Sequence, residues 1–246
     1  HADFVVFPLA GLITVILLLF LINVWFGFYF ESRQRLKLAS LFGQYVPPER
    51  VEQMARDPDF SRYSTAGRNE VLTVMFADLR NFTQIAEGLE PDAVRRFLLE
   101  YLTEMSEVVH RHHGTVDKYI GDSIMAFWGA PLPDPNHAEH AVRAGLDMVR
   151  QVRAMQARQH REGMPRMAIG VGLNTGLVSV GDMGSRLRRA YTAIGDPVNL
   201  ASRLESLTKY YGVGIIIGER TRELVPDLIC RELDRVRVKG RDQVVA

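Results

Sequence analysis

The most informative part of this chain is residues 117–127, Asp117-Lys118-Tyr119-Ile120-Gly121-Asp122-Ser123-Ile124-Met125-Ala126-Phe127. Two apolar runs flank Gly121-Asp122, which predicts a β-hairpin with a carboxylate at its tip. Earlier in the chain, the apolar run of residues 74–77 also ends in a carboxylate, Asp78. Two strand-end carboxylates that a fold could bring together indicate a divalent-metal site built for phosphate chemistry.

Composition limits the class of protein. The chain has 246 residues, enough for one good-sized globular domain with additional segments. Its 30 basic and 29 acidic residues nearly cancel, so bulk charge does not favour nucleic acid as a partner. The single cysteine, Cys230, excludes an internal disulfide framework and suits a reducing compartment.

The chain opens with an apolar run from about Phe4 to Phe30. As a helix this run would extend about 40 Å, more than the ~30 Å hydrocarbon core of a bilayer. Buried core helices rarely run this long without charge, and the basic segment and small-residue cleavage site of a signal peptide are missing. We therefore expect a transmembrane helix in residues 1–30. Basic residues follow at once and predict a cytoplasmic C-terminal side at the cell (inner) membrane: Arg33, Arg35 and Lys37.

Residues 31–64 form a predicted connector. An apolar stripe indicates a helix that Pro47-Pro48 would end, and Pro48 would start a short helix through Met54. From composition alone, the connector is either a spacer or a dimer-forming transmitter between membrane and catalytic domain.

Residues 65–246 are predicted to form one α/β domain. Strand, helix, hairpin, helix and strand follow in an order typical of the α+β ferredoxin-like split βαβ plan, with helices covering one face of the sheet. The predicted strands cover residues 71–77, 117–127 as a hairpin, 167–180 as a strand pair or one bent strand, 189–194, 214–217 and 232–239. The main predicted helices cover residues 82–87, 91–112, 137–160 and 196–210.

Four motifs in this domain resemble class III nucleotidyl cyclases, in the order and at the spacing of that family. They are residues 76–82 (FADLRNF), 118–127 (KYIGDSIMAF), 191–205 (YTAIGDPVNLASRLE) and 238–240 (VKG). Residues 42–47 (FGQYVP) also resemble the segment that precedes such domains, which favours the transmitter interpretation of the connector. Within that family, the motifs resemble those of the bacterial adenylate cyclases.

The resemblance implies roles for individual residues. Asp78 and Asp122, with the carbonyl of Leu79, would bind two Mg²⁺ or Mn²⁺ ions. Lys118 would donate to adenine N1, and Thr192 would accept from the adenine amino group. Many relatives have aspartate where Thr192 stands, so the chain resembles the subgroup with threonine.

Two further pairs would handle the ribose and the phosphates. Asn199 and Arg203 are at i and i+4, so they share one helix face. By resemblance, Asn199 positions the ribose and Arg203 neutralises charge that develops at the α-phosphate. Lys239 would meet the terminal phosphates, and Arg188 is a second candidate there.

The resemblance therefore implies a membrane-anchored adenylate cyclase that converts ATP to 3′,5′-cyclic AMP and pyrophosphate. Because each chain carries every group once, the family's arrangement implies a homodimer with shared sites. The alternatives are a guanylate cyclase, disfavoured by Lys118 and Thr192, and a catalytically inactive cyclase-like sensor or dimerisation module.

Overall fold

The structure of the protein is a computed structural model. It describes residues 9–43, 45–57, 63, 65–158, 167–185, 187–234, 236–237 and 244–245. The chain divides into two compact units, His1–Arg62 and Tyr63–Ala246.

The first unit contains two helices, α1 (Leu9–Phe42) and α2 (Pro48–Arg56). Large apolar side chains of α1 from Leu12 to Phe26 are exposed. Within the part of this unit and the next that the structure describes, no helix is both long enough and apolar enough to cross a membrane. The predicted start of a short helix at Pro48 is confirmed, since proline fits the first turn of a helix.

The second unit is built on a six-stranded sheet in the order β2-β3-β1-β4-β5, with β6 beside β4. All neighbours are antiparallel except β4 and β6. The strands are β1 (Arg68–Arg80), β2 (Thr115–Ile120), β3 (Ser123–Trp128), β4 (Ala168–Gly184), β5 (Arg189–Ile194) and β6 (Ile215–Ile217). With a helix pair between β1 and β2 and one helix between β3 and β4, the predicted ferredoxin-like plan is confirmed.

The remaining elements are α3 (Phe82–Glu87), α4 (Pro91–Arg111), α5 (His137–Arg158), α6 (Asp196–Tyr211), α7 (Glu219–Glu223), β7 (Val236–Arg237) and β8 (Val244–Val245). The main core lies between α4, α5 and one face of the sheet. Its fully buried members include Met75, Tyr101, Trp128 and Met148. This layer fixes β1 and the β2–β3 hairpin relative to each other.

The prediction that helices cover only one face of the sheet is wrong, because α6 packs on the other face. Val171 and Leu173 of β4 point to α5, so Gly172 between them faces the opposite side of the sheet. There a Cβ on Gly172 would lie 2.1 Å from the backbone nitrogen of Glu205 in α6. Glycine at this position lets the backbone of α6 approach the sheet directly.

Three strands also differ from their predicted extents. β1 covers Arg68–Arg80 and so extends beyond the predicted residues 71–77 at both ends. β4 is one strand of 17 residues that continues to Gly184, because its second half pairs with β5. The last predicted strand, residues 232–239, is described only in part. Residues 232–234 have no regular structure, Val236–Arg237 form β7, and residues 235, 238 and 239 lie outside the described part of the chain.

Candidate active site

The two predicted metal-binding carboxylates lie side by side at one end of the sheet. Asp78 is near the end of β1, where its neighbours Ala77 and Leu79 are buried and the Asp78 side chain points to the opposite face. Asp122 follows Gly121 in the β2–β3 turn, and the φ of 65° at Gly121 favours glycine. The turn adjoins the end of the β1–β3 pairing, so the two carboxyl groups hydrogen-bond to each other.

Both carboxyl groups resist ionisation. The pKa of Asp78 is raised to about 7, first by burial and then by the negative charges of Asp122 and Glu205. Burial also raises the pKa of Asp122, although the backbone N–H of Leu79 donates a hydrogen bond to it. The positive charge of a bound divalent cation would offset the repulsion between the two carboxylates. Mg²⁺ and Mn²⁺ suit this position because they prefer oxygen ligands.

The carboxylate pair is a small donor set. Across the described residues, no group of three or more His, Cys, Asp or Glu side chains is arranged to hold a metal ion. A cation at Asp78 and Asp122 would therefore take its other ligands from backbone oxygen, substrate phosphates or water, as Mg²⁺ commonly does. The residues present fit that mode of binding.

Two residues near the pair were not predicted from the sequence. Glu205 of α6 is close enough for its charge to raise the pKa of Asp78. Tyr101 of α4 is fully buried, and its pKa is raised well above 10 by burial and by the charges of Asp122, Asp78 and Glu205. Its hydroxyl has no hydrogen-bond partner in the described part of the chain. In the sequence, Tyr101 is only one residue of the predicted helix 91–112.

The predicted base-reading residues are also in contact. Lys118 lies on β2 and Thr192 on β5, which are at opposite ends of the main strand order. Nevertheless Lys118 Nζ donates a 3.0 Å hydrogen bond to Thr192 Oγ1, so the two sheet edges approach each other. Asp117, which was not predicted as a site residue, completes the group because Thr192 Oγ1 donates to its Oδ2 at 2.5 Å.

Asn199 and Arg203 lie on α6, one helical turn apart. Asn199 is exposed, and Arg203 is partly buried. The Nη1 atom of Arg203 is buried and has no hydrogen-bond partner among the residues described. In the described structure of a single chain, neither residue has a hydrogen bond or ion pair with Asp78 or Asp122.

Of the two predicted phosphate-binding residues, Arg188 and Lys239, only Arg188 belongs to the described part of the chain. Arg188 is exposed in the β4–β5 connection, where its backbone N–H donates to Ser185 Oγ at 3.1 Å. That contact shapes the turn and leaves the guanidinium group at the surface. The predicted role of Lys239 concerns a residue outside the described part of the chain.

Known proteins resemble this chain over most of its length. Residues 65–246 match the family described as the adenylate and guanylate cyclase catalytic domain. The chain is 39% identical over 201 residues to adenylate cyclase 1 of Rhizobium meliloti, which covers 81% of this chain and 30% of that protein. The chain thus spans about a third of the length of that relative.

Solved structures of both adenylyl and guanylyl cyclases resemble this chain. The adenylyl cyclase CyaB from P. aeruginosa is 36% identical with a TM-score of 0.68, covering 73% of this chain and 92% of that one. The guanylyl cyclase Cya2 is also 36% identical, with a TM-score of 0.66 over 73% of this chain and 91% of that one. Overall likeness therefore does not separate the two substrates, and the residues that face the base must do so.

Proposed function

The chain belongs to the adenylate and guanylate cyclase catalytic-domain family, and we propose that it acts on ATP, forming 3′,5′-cyclic AMP and pyrophosphate. The observation that carries this choice of substrate is the hydrogen-bonded pair of Lys118 and Thr192. A lysine donates only, which suits the N1 acceptor of adenine and opposes the N1–H donor of guanine. The Thr192 hydroxyl would accept from the adenine amino group.

The carboxylate pair supports metal-dependent phosphoryl chemistry. Asp78 and Asp122, with the backbone carbonyl of Leu79, would hold two Mg²⁺ or Mn²⁺ ions. When bound, these ions would supply charge neutralisation at the attacking and leaving oxygens. The ribose 3′-hydroxyl would lose its proton to solvent and its oxygen would form a bond to the α-phosphorus, while the bond from that phosphorus to the bridging oxygen breaks and pyrophosphate leaves with that electron pair.

The polar residues of α6 would act on the same reaction. Asn199 would orient the ribose so that the 3′-oxygen lies in line with the leaving group. Arg203 would neutralise charge that develops on the α-phosphate oxygens. Its buried Nη1, which has no hydrogen-bond partner among the described residues, has a donor available for that purpose. Arg188 and Lys239 would bind the terminal phosphates.

We further propose a homodimer in which each site combines Asp78 and Asp122 of one chain with the base-reading and α6 residues of the other. Lys118 is four residues from Asp122 on the same hairpin, up to about 13 Å at the rise of an extended chain. Among the described residues of a single chain, Arg203 forms no hydrogen bond or ion pair with the carboxylates, which supports the same arrangement. Such a dimer would have a two-fold axis and two equivalent sites.

Membrane attachment is a separate proposal. The apolar run that begins at Phe4 and the basic residues that follow it favour an anchor in the cell (inner) membrane, with the catalytic domain in the cytoplasm. The exposed apolar side chains between Leu12 and Phe26 support it.

Identifying the product tests the proposed substrate. The purified chain is incubated with ATP or GTP and Mn²⁺, and cyclic AMP from ATP is the expected main product. Preferential formation of cyclic GMP would instead establish the guanylate cyclase alternative, which the likeness to Cya2 keeps relevant. No cyclic product under either condition would contradict the proposal.

Mixing two inactive variants tests the shared site. Asp78→Ala should be inactive, and the double variant Asn199→Ala with Arg203→Ala should be nearly inactive. Random pairing gives about half heterodimers, each with one intact site of two, so the mixture should recover about a quarter of the wild-type activity. If the subunits demonstrably exchange and the mixture remains inactive, the shared-site arrangement is wrong.

A further inference from the structure

Asp117 is a buried carboxylate beside the base-reading pair. Its side chain is fully shielded from solvent. Oδ2 accepts from Thr192 Oγ1 at 2.5 Å and lies 3.4 Å from the backbone N–H of Ala193. Oδ1 lies 3.3 Å from Lys118 Nζ, an ion-pair contact without the alignment of a hydrogen bond. Asp117 thus contacts both residues that we assign to base recognition.

The contact with Thr192 determines what its hydroxyl can do. A hydroxyl group has one proton and two lone pairs. The proton of Thr192 is directed to Asp117, and one lone pair accepts from Lys118. What remains for a bound base is one lone pair, which accepts from a donor and repels an acceptor.

We propose that Asp117 is a specificity-determining positioning residue, because it holds the Thr192 proton away from the base and makes that hydroxyl an acceptor only. The adenine amino group is then complementary to Thr192, whereas an oxygen at position 6 of the base meets a lone pair. This inference rests on the proposed function, in which Lys118 and Thr192 read adenine. It assigns selectivity to a side chain that need not touch the nucleotide.

The direction of the hydrogen bond does not depend on the ionisation of Asp117. Burial raises the pKa of Asp117, while Thr192, Lys118 and Ala193 lower it. Since the backbone N–H of Ala193 also points at Oδ2, that oxygen remains an acceptor even when Oδ1 carries a proton. Thr192 is therefore the donor in both states.

Removing the acceptor tests the inference. Asp117→Leu keeps the branching of the side chain and has no acceptor, so the Thr192 hydroxyl can turn and donate to an oxygen at position 6. Inosine triphosphate carries that oxygen without the 2-amino group of GTP. We expect the ratio of kcat/KM for ATP to that for inosine triphosphate to fall about tenfold, the value of one hydrogen bond of favourable strength.

The matched control is Thr192→Val, which removes the hydroxyl. This change alone should lower the ratio, and adding Asp117→Leu to it should change the ratio no further, because no hydroxyl proton remains to be redirected. A purely structural Asp117 would lower kcat/KM for both nucleotides equally and leave the ratio unaltered. If Asp117→Leu does not fold, Asp117→Val makes the same comparison with a smaller side chain.

The outcomes separate the inference from the proposed function. A wild-type chain without preference for ATP would overturn the proposed function. A preference that Thr192→Val leaves unchanged would overturn the assignment of Thr192 and the inference with it. A ratio that responds to Thr192→Val but is unchanged in a folded Asp117→Leu or Asp117→Val variant would overturn the inference alone.

Discussion

Replacing Asp78 by asparagine should stabilise the metal-free protein while preventing stabilisation by metal. The pKa of Asp78 rises from 3.8 to about 7 on folding, because of burial and the nearby carboxylates. A rise of that size corresponds to about 4 kcal/mol between the two protonation states. Because Asp78 is partly exposed, solvent screening reduces this to about 2 kcal/mol.

The sign of the effect depends on pH. A carboxyl group whose pKa is raised by folding costs no stability below its unfolded pKa near 4, and its full cost appears once the pH exceeds about 7. Asp78→Asn removes that cost, so at pH 8 in EDTA the variant should melt about 4–8 °C above wild type. The gain should shrink towards zero as the pH falls to 4.

Thermal unfolding at pH 5 and pH 8, in EDTA and in Mn²⁺, measures these effects. Mn²⁺ should raise the melting temperature of the wild type and leave that of Asp78→Asn nearly unchanged. Asp227→Asn, the same change at an exposed carboxylate, is the control and should be neutral. A variant that melts at or below the wild type at pH 8 in EDTA would refute the view that the carboxylate pair is electrostatically strained.

Three further outcomes are expected. Asp122→Asn should abolish turnover with Mn²⁺ while near-ultraviolet circular dichroism stays native, and near-normal turnover would exclude this residue as a metal ligand. Lys118→Glu with Thr192→Cys should shift the kcat/KM ratio towards GTP, because the donor and acceptor pattern is inverted; an unchanged ratio in an active variant would place base recognition elsewhere. Gly172→Ala should cost about 3 kcal/mol or more in denaturant unfolding, since its Cβ would lie 2.1 Å from the α6 backbone, whereas Gly67→Ala, with open space around it, should be tolerated.

Much of the domain was predictable because its signals are local. The Gly121-Asp122 turn between two apolar runs specifies a hairpin, and the helical spacing of apolar residues identifies α4. The order of these elements then restricts the sheet to a few topologies. The two carboxylates could be recognised because each lies at the end of a strand.

The features that were missed depend on contacts between distant parts of the chain. The position of α6 follows from glycine in β4, which carries no periodic signal. Nothing in the sequence distinguishes Asp117 from an ordinary neighbour of Lys118. Its contact with Thr192 exists only because β5 approaches β2 in the folded domain. Glu205 and Tyr101 likewise come near the carboxylates only after α6 and α4 have packed.

The direct backbone contact between α6 and β4 has a mechanical consequence. No side chain lies between them at Gly172, so little room exists for sliding, and close-packed interiors resist deformation. β1, which carries Asp78, pairs with β4 along its length, so Asp78 and the α6 residues must move together as one rigid body. In a dimer of the proposed kind, an input signal would therefore act by rotating one catalytic domain relative to that of the partner subunit. Such a rotation would change both active sites at the same time.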